Sequence, residues 1–330
     1  MTDMTTLRIA FAGTFAARLA PPVGALLPPD CDIVVTDEPG VVGHMGDLDV
    51  LVSMAFTREM ADAARRLALV QVPGAGLDRI DRAALPPGAA LANAYGHETG
   101  IAEYIVGAML ALARQYGRLD ASLRRGVWES QWAVDAEPPA PWPELAGATL
   151  GILGYGRIGQ ALARRARALD MTVLAIRRSV APGEREPATV RGPEALDDVL
   201  ARADYLAITL PLTAQTRGLL GAARLARMKP TAFLVNVARA EIVDEDALHA
   251  ALAERRLAGA ALDVWYRYPA GPGATRPARR PFHELPNVLM TPHVSGWTDG
   301  MLRARAAVIA DNVHRVSRGE PPLNLIPRSA

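Results

Sequence analysis

Leu150-Gly151-Ile152-Leu153-Gly154-Tyr155-Gly156-Arg157-Ile158-Gly159 carries a G-x-G-x-x-G turn between an apolar strand pattern and an Ala/Leu/Arg helix pattern. Each glycine has a physical reason to be there. Gly154 permits the tight turn, Gly156 lets main chain approach a pyrophosphate, and Gly159 lets the helix sit close to the strand. The helix start, with Tyr155, Arg157 and Ile158 around it, then offers main-chain N–H groups to the anion. A tight glycine turn without a ligand is the competing reading. The strand before and the helix after favour a dinucleotide site.

The following strand pattern, Thr172–Ile176, ends in Arg177-Arg178-Ser179 and not in the acid that would hold a ribose 2′-hydroxyl. Two guanidinium groups and a hydroxyl suit a 2′-phosphate, so NADP is favoured over NAD. Solvent-facing arginines are the alternative.

Working outward, short β-rich runs alternate with helical stretches, which predicts an α/β protein with parallel sheets. Strands are expected near Leu7–Ala12, Asp32–Thr36, Val50–Met54, Leu69–Val72 and Ala90–Ala94, with a helix around Arg58–Arg66. A second series is expected near Thr149–Leu153, Thr172–Ile176, Tyr205–Thr209, Ala232–Asn236, Ala260–Asp263 and Val288–Met290. Ile101, Tyr104, Ile105, Ala108, Met109 and Leu112 recur at helical spacing, predicting one long helix from Thr99 to Arg118 that bridges two domains. Glu137 to Pro143 reads as a surface connection, Tyr266 to Arg280 as a loop, and Thr298 to Ser317 as a last helix packed on the first domain.

The 330 residues, half of them hydrophobic, suffice for two cores. Basic and acidic residues number 36 and 35 and are scattered, so no electrostatic footprint for nucleic acid or an anionic membrane is visible. Lys229 is the only lysine, a bias that reads as genome composition. With Cys31 the sole cysteine, an internal disulfide and a thiolate metal cluster are excluded, and no metal site is expected. The N-terminus lacks a secretory pattern and no apolar run reaches the ~18 residues of a bilayer span, so a cytoplasmic protein is expected.

Further motifs follow in order: Leu234-Val235-Asn236-Val237-Ala238-Arg239-Ala240, Val243-Asp244-Glu245-Asp246-Ala247-Leu248, Gly259-Ala260-Ala261-Leu262-Asp263-Val264 and Thr291-Pro292-His293. With the glycine turn they make the chain resemble the D-isomer-specific 2-hydroxyacid dehydrogenase family over nearly its whole length. The resemblance implies a Rossmann cofactor domain, residues 98–296, inserted into a flavodoxin-like substrate domain, residues 1–97 and 297–330. It implies hydride transfer between a nicotinamide and a small 2-oxo or 2-hydroxy acid, with Arg239 gripping the carboxylate and His293 exchanging the proton. Charge developing on the carbonyl oxygen needs both a fixed cation and a proton donor, and arginine keeps its proton. A surface ion pair for Arg239 and a core hydrogen bond for His293 are the bland readings.

By the same resemblance Pro211, Thr213, Val237, Asp263 and His293 line the cofactor, and Gly74-Ala75-Gly76-Leu77-Asp78 offers main-chain N–H groups of Ala75 and Gly76 to a substrate carboxylate. For Asp78 a turn-capping role competes. The family places a glutamate five residues after the Leu-Asp-Val aspartate, where this chain has Tyr268. A neutral phenol orients an imidazole without stabilising its protonated form. The stretch Asp263 to Ala270 is similar to the formate dehydrogenase branch, and Val52-Ser53-Met54-Ala55-Phe56 resembles its substrate loop, which would place Phe56 against substrate. Oxidation of formate or phosphite is therefore an alternative. His97, where that branch carries asparagine, is expected either to contact substrate or to bond backbone at a helix start. Trp128, Trp132 and Trp297 read as core aromatics ahead of pocket lining. A dinucleotide-sensing corepressor is the alternative from another class, and a homodimer is expected from the resemblance.

Overall fold

The computed structural model describes residues 7–134, 137–179, 188–271 and 273–328. They fall into two compact units, one within Met1–His97 and Trp297–Ala330, the other within Glu98–Gly296.

The first unit holds five parallel strands, β1 (Arg8–Ala12), β2 (Asp32–Thr36), β3 (Val50–Ser53), β4 (Leu69–Gln71) and β5 (Ala90–Ala92), in the order β2-β1-β3-β4-β5. This is the flavodoxin-like order. Its central strands are apolar at consecutive positions because both faces are covered: Ile9, Phe11, Val50 and Val52 enter one cluster, Ala10, Ala12 and Leu51 the other. The helix Asp299–Ser317 starts where Thr298 Oγ1 accepts the Met301 N–H at 3.1 Å and buries Ala306, Ile309, Ala310 and Val313 in the first cluster.

The second unit holds seven parallel strands, β6 (Thr149–Leu153), β7 (Thr172–Ile176), β8 (Thr189–Arg191), β9 (Tyr205–Ile208), β10 (Phe233–Asn236), β11 (Gly259–Leu262) and β12 (Val288–Met290), in the order β12-β11-β10-β9-β6-β7-β8. Counted within the unit this is the Rossmann order with one more strand at the edge, and the order reverses between β6 and β9. The fold is thus α/β with two doubly wound parallel sheets.

Several details differ from the sequence-based expectation. The long helix is two, Glu98–Arg114 and Tyr116–Arg124, separated by Gln115 in the left-handed region at φ 51°. The apolar spacing ends at Ala113, and the Gln115 side chain accepts from Arg118 Nε at 2.6 Å, holding the break. The short edge strand β8 was not expected; only Val190 of its three residues is buried, too little to leave a pattern. Trp128, Trp132 and Trp297 are not core residues: they are 61, 77 and 45% exposed, with Trp297 against Phe15 at a centroid distance of 5.6 Å. The described residues from 266 to 280 form neither helix nor strand, as expected of a loop, and 137–143 is an irregular, mostly exposed run. No helix among the described residues is long and apolar enough to cross a membrane.

Candidate active site

In the second unit the strand register sets the site. Leu153 pairs with Ile176 and Ile208, Asn236 with Ile208 and Leu262, and Leu262 with Met290. The residues that follow each strand therefore emerge along one sheet edge in the order Thr291–His293, Asp263, Val237–Arg239, Leu210–Thr213, Gly154–Gly159 and Arg177–Ser179. Parallel α/β sheets bind ligands at this carboxyl edge.

The glycine turn is sterically determined. Gly154 has φ +108°, and a Cβ there would lie 2.8 Å from Leu210 N. A Cβ on Gly159 would meet Gly154 O at 2.4 Å, whereas one on Gly156 would meet nothing within 4 Å. The helix Arg157–Ala168 thus starts tight against the turn, without a side-chain cap, and with open space at Gly156. Main-chain N–H donors facing open space at a helix start fit a dinucleotide pyrophosphate. Tyr155 is buried and its N–H joins that of Gly154 on Ile176 O, at 3.1 and 3.0 Å. Thr213 is tied into a turn by its N–H to Thr216 Oγ1 at 2.7 Å, and Thr216 Oγ1 reaches Pro211 O at 2.8 Å. Val237 is buried. After β7, Arg177 is half-buried while Arg178 and Ser179 are exposed.

His293 stands after β12 in the left-handed region, φ 57°. Its Nδ1 is 2.8 Å from the Tyr268 hydroxyl. The phenol donates to a neutral imidazole and accepts from a protonated one, so the bond survives either state. Desolvation holds the imidazole below its ordinary pKa, the Arg239 charge acts in the same direction, and Asp263 opposes both. Burial likewise raises the Tyr268 phenol, which keeps it neutral.

Asp263 is fully buried and anchors the His293 loop on both sides. It accepts from Thr291 Oγ1 at 2.6 Å, Val294 N at 2.8 Å and Ser295 N at 2.9 Å. Charge-assisted bonds contribute about 1.5–3 kcal/mol each, against ~1–3 kcal/mol for a non-glycine residue in the left-handed region, so the anchors win. Thr291 O also accepts from Trp265 Nε1 at 2.8 Å and from His293 N at 3.1 Å. Tyr104 OH lies 2.6 Å from Thr291 Oγ1.

Arg239 follows β10 on a loop stapled by buried Asn236. The Asn236 amide accepts from Ala238 N at 3.1 Å and donates to Arg239 O at 3.0 Å. Arg239 NH1 donates to Ala238 O at 2.8 Å, and its charge acts on both His293 and Tyr268. Asn236 and Thr291 stand inside the sequence motifs, which by themselves assign them no role. A polar residue ending an apolar strand was the available signal, since a buried amide must find partners. Among the described residues no group of His, Cys, Asp and Glu could hold a metal ion.

In the first unit, the Gly74–Asp78 loop follows β4, with Gly74 O accepting from Ala94 N at 3.2 Å and Ala75 O from Asn93 Nδ2 at 3.1 Å. Ala75 and Gly76 are half-exposed and Asp78 is exposed. The Phe56 ring is buried and packs in the cluster with Leu51, Met60 and Ile80. His97 is buried, and its Nδ1 bonds a side chain, Arg305 NH2 at 2.9 Å.

The family described as D-isomer specific 2-hydroxyacid dehydrogenase, NAD binding domain, matches residues 106–295. D-3-phosphoglycerate dehydrogenase of Methanocaldococcus jannaschii is 35% identical over 288 residues, 85% of this chain and 52% of that protein. The chain spans about half the length of the phosphoglycerate dehydrogenases it matches. Glyoxylate reductase of Thermococcus onnurineus is 35% identical over 292 residues, 86% of this chain and 84% of that protein. The crystal structure of an NADPH-dependent glyoxylate/hydroxypyruvate reductase from Sinorhizobium meliloti, in complex with NADP and sulfate, superposes with TM-score 0.77 at 25% identity, covering 98% of this chain and 99% of that one. A match across more than half of the chain, with relatives aligned along most of it, makes the kinship plain: the chain belongs to the D-isomer-specific 2-hydroxyacid dehydrogenase family.

Proposed function

We propose that the chain is a nicotinamide-dependent reductase of small 2-oxo acids, or catalyses the reverse oxidation, with His293 exchanging the proton and Arg239 gripping the carboxylate and polarising the 2-oxo group. The observation that carries this is the Tyr268–His293 bond at the end of β12, two strands from Arg239 at the end of β10. Adjacent strands lie about 4.8 Å apart, so the two loops are separated by roughly 10 Å, within reach of an arginine side chain. When bound, the reduced nicotinamide supplies the hydride. His293 delivers its proton to the carbonyl oxygen as charge builds there, and Arg239 offsets that charge. Tyr268 keeps the ring oriented in both protonation states, and Asp263 keeps the loop in place.

The unit Glu98–Gly296 takes the dinucleotide through Gly154 to Gly159, with Pro211, Thr213, Val237 and Asp263 alongside. In the other unit, Ala75 and Gly76 are the residues that the resemblance assigns to carboxylate binding. Arg177, Arg178 and Ser179 favour NADP, since no carboxylate stands among them to repel a 2′-phosphate. Glyoxylate and hydroxypyruvate are the favoured substrates, in line with the relatives' names. A homodimer is supported by the exposed apolar run Val127, Trp128, Trp132 and Val134. A reducing, cytoplasmic setting suits a chain whose one cysteine is free.

The test is a spectrophotometric screen of 2-oxo acids, formate and phosphite against NADP(H) and NAD(H). Oxidation of NADPH by glyoxylate or hydroxypyruvate is expected. The neutral phenol on His293 favours a second reading, and reduction of NADP by formate or phosphite with inert 2-oxo acids would select it. Tight dinucleotide binding without turnover of any acid would point instead to a sensor.

A further inference from the structure

Tyr104 lies on the helix Glu98–Arg114, where Ile101, Ile105, Ala108 and Met109 are buried against the sheet of the second unit. Its ring packs at the margin of that core, and its hydroxyl is 2.6 Å from Thr291 Oγ1, two residues before His293. The direction of this bond follows from the next one. Thr291 Oγ1 is 2.6 Å from Asp263 Oδ1, and an ionised carboxylate only accepts, so the single threonine proton is committed to Asp263. The Thr291 oxygen must then accept from Tyr104. The result is one polarised chain, Tyr104 O–H to Thr291 O–H to the Asp263 carboxylate, which also receives the N–H groups of Val294 and Ser295.

We propose that Tyr104 is a positioning residue for His293, acting through the Thr291 hydroxyl and Asp263 to hold the 291–295 loop in the conformation that presents the imidazole. The proposal rests on proton exchange at His293 being the chemistry of this edge. The influence of Tyr104 on His293 passes through Thr291. His293 sits at φ 57°, a region uncommon for residues other than glycine, and bonds from outside the residue hold the loop there. Among the described residues, the Tyr104 hydroxyl ties the loop to a helix, whereas Asp263, Trp265 and Tyr268 tie it to the segment that follows β11.

The test uses the full chain and two readouts, hydrogen–deuterium exchange of the 291–296 segment and steady-state kinetics. Tyr104→Phe keeps the ring and its packing while removing the donor. The amides of Val294 and Ser295 should exchange about three- to tenfold faster, with the helix Arg157–Ala168 unchanged. kcat should fall several-fold while KM for the dinucleotide holds. Thr291→Val should reproduce the effect from the other end of the bond, and Thr291→Ser, which keeps the hydroxyl, should not. The Tyr104→Phe/Thr291→Val double variant should be no worse than Thr291→Val alone, because the two hydroxyls act in series. Unaltered exchange in Tyr104→Phe, or additive losses in the double variant, overturns the proposal. If the wild-type chain turns over no acid, the reductase reading fails, yet the exchange data still decide whether Tyr104 holds the loop.

Discussion

Replacing Tyr268 with glutamate puts a carboxylate where a neutral phenol now sits 2.8 Å from His293 Nδ1. In the native site, desolvation and Arg239 both favour the neutral imidazole and only Asp263 favours the protonated one. Two unit charges about 4 Å apart interact by ~1 kcal/mol in water and ~4 kcal/mol at an effective dielectric of 20. Residue 268 is 51% exposed, so the lower end applies, equivalent to about one pH unit. The sign is set by the proton's role. On the proposed mechanism reduction needs the imidazolium, so its rate should be flat below the His293 pKa and fall tenfold per unit above it, the fall in the native chain beginning below the ordinary histidine value. Tyr268→Glu should move the limb upward by about one unit and raise the reductive rate near pH 7 several-fold; the oxidative direction, which needs the neutral ring, should lose rate by a similar factor. Initial rates of NADPH consumption with glyoxylate across the pH range read this directly. A limb that stays in place or moves to lower pH would refute His293 as the titrating group.

Arg239→Ala should lower kcat/KM for a 2-oxo acid by about 10²–10³-fold, the cost of losing a fixed charge at a developing alkoxide, with dinucleotide affinity little changed by titration calorimetry. Gly156→Ala and Gly159→Ala should separate binding from folding. The first adds a methyl to open space and should weaken dinucleotide binding at unchanged Tm, while the second drives a Cβ to 2.4 Å from Gly154 O and should lower Tm by several degrees. Arg177→Asp combined with Arg178→Ala should raise KM for NADP at least tenfold while sparing NAD. An unmoved preference would show that neither arginine meets a phosphate.

What could be read from the residues depended on how local the cause was. Apart from the edge strand β8, the strands were legible, the central ones because burial on two faces forces runs such as Ile9-Ala10-Phe11-Ala12 and Leu150-Gly151-Ile152-Leu153 to be apolar throughout. Tyr268 was read as a partner of His293 only through the resemblance, which puts a residue that pairs with the histidine five positions after Asp263. Gln115 gave no clear warning: the nearby glycine, Gly117, lies inside the second helix, and the left-handed residue is a glutamine whose own side chain accepts from Arg118. His97 and Arg305 meet across 208 residues, and Tyr104 meets Thr291 across 187. In each case the helical period tells which face is buried but not which polar atom waits on the other side. A tyrosine at an apolar helical position looks like core, and its ring is indeed packed there. The hydroxyl is the part that periodicity cannot weigh, and an O–H left inside a core is costly unless something accepts it. A tyrosine on the packed face of a helix therefore poses a question that the sequence leaves open, and here the acceptor is the residue two before the proposed proton donor.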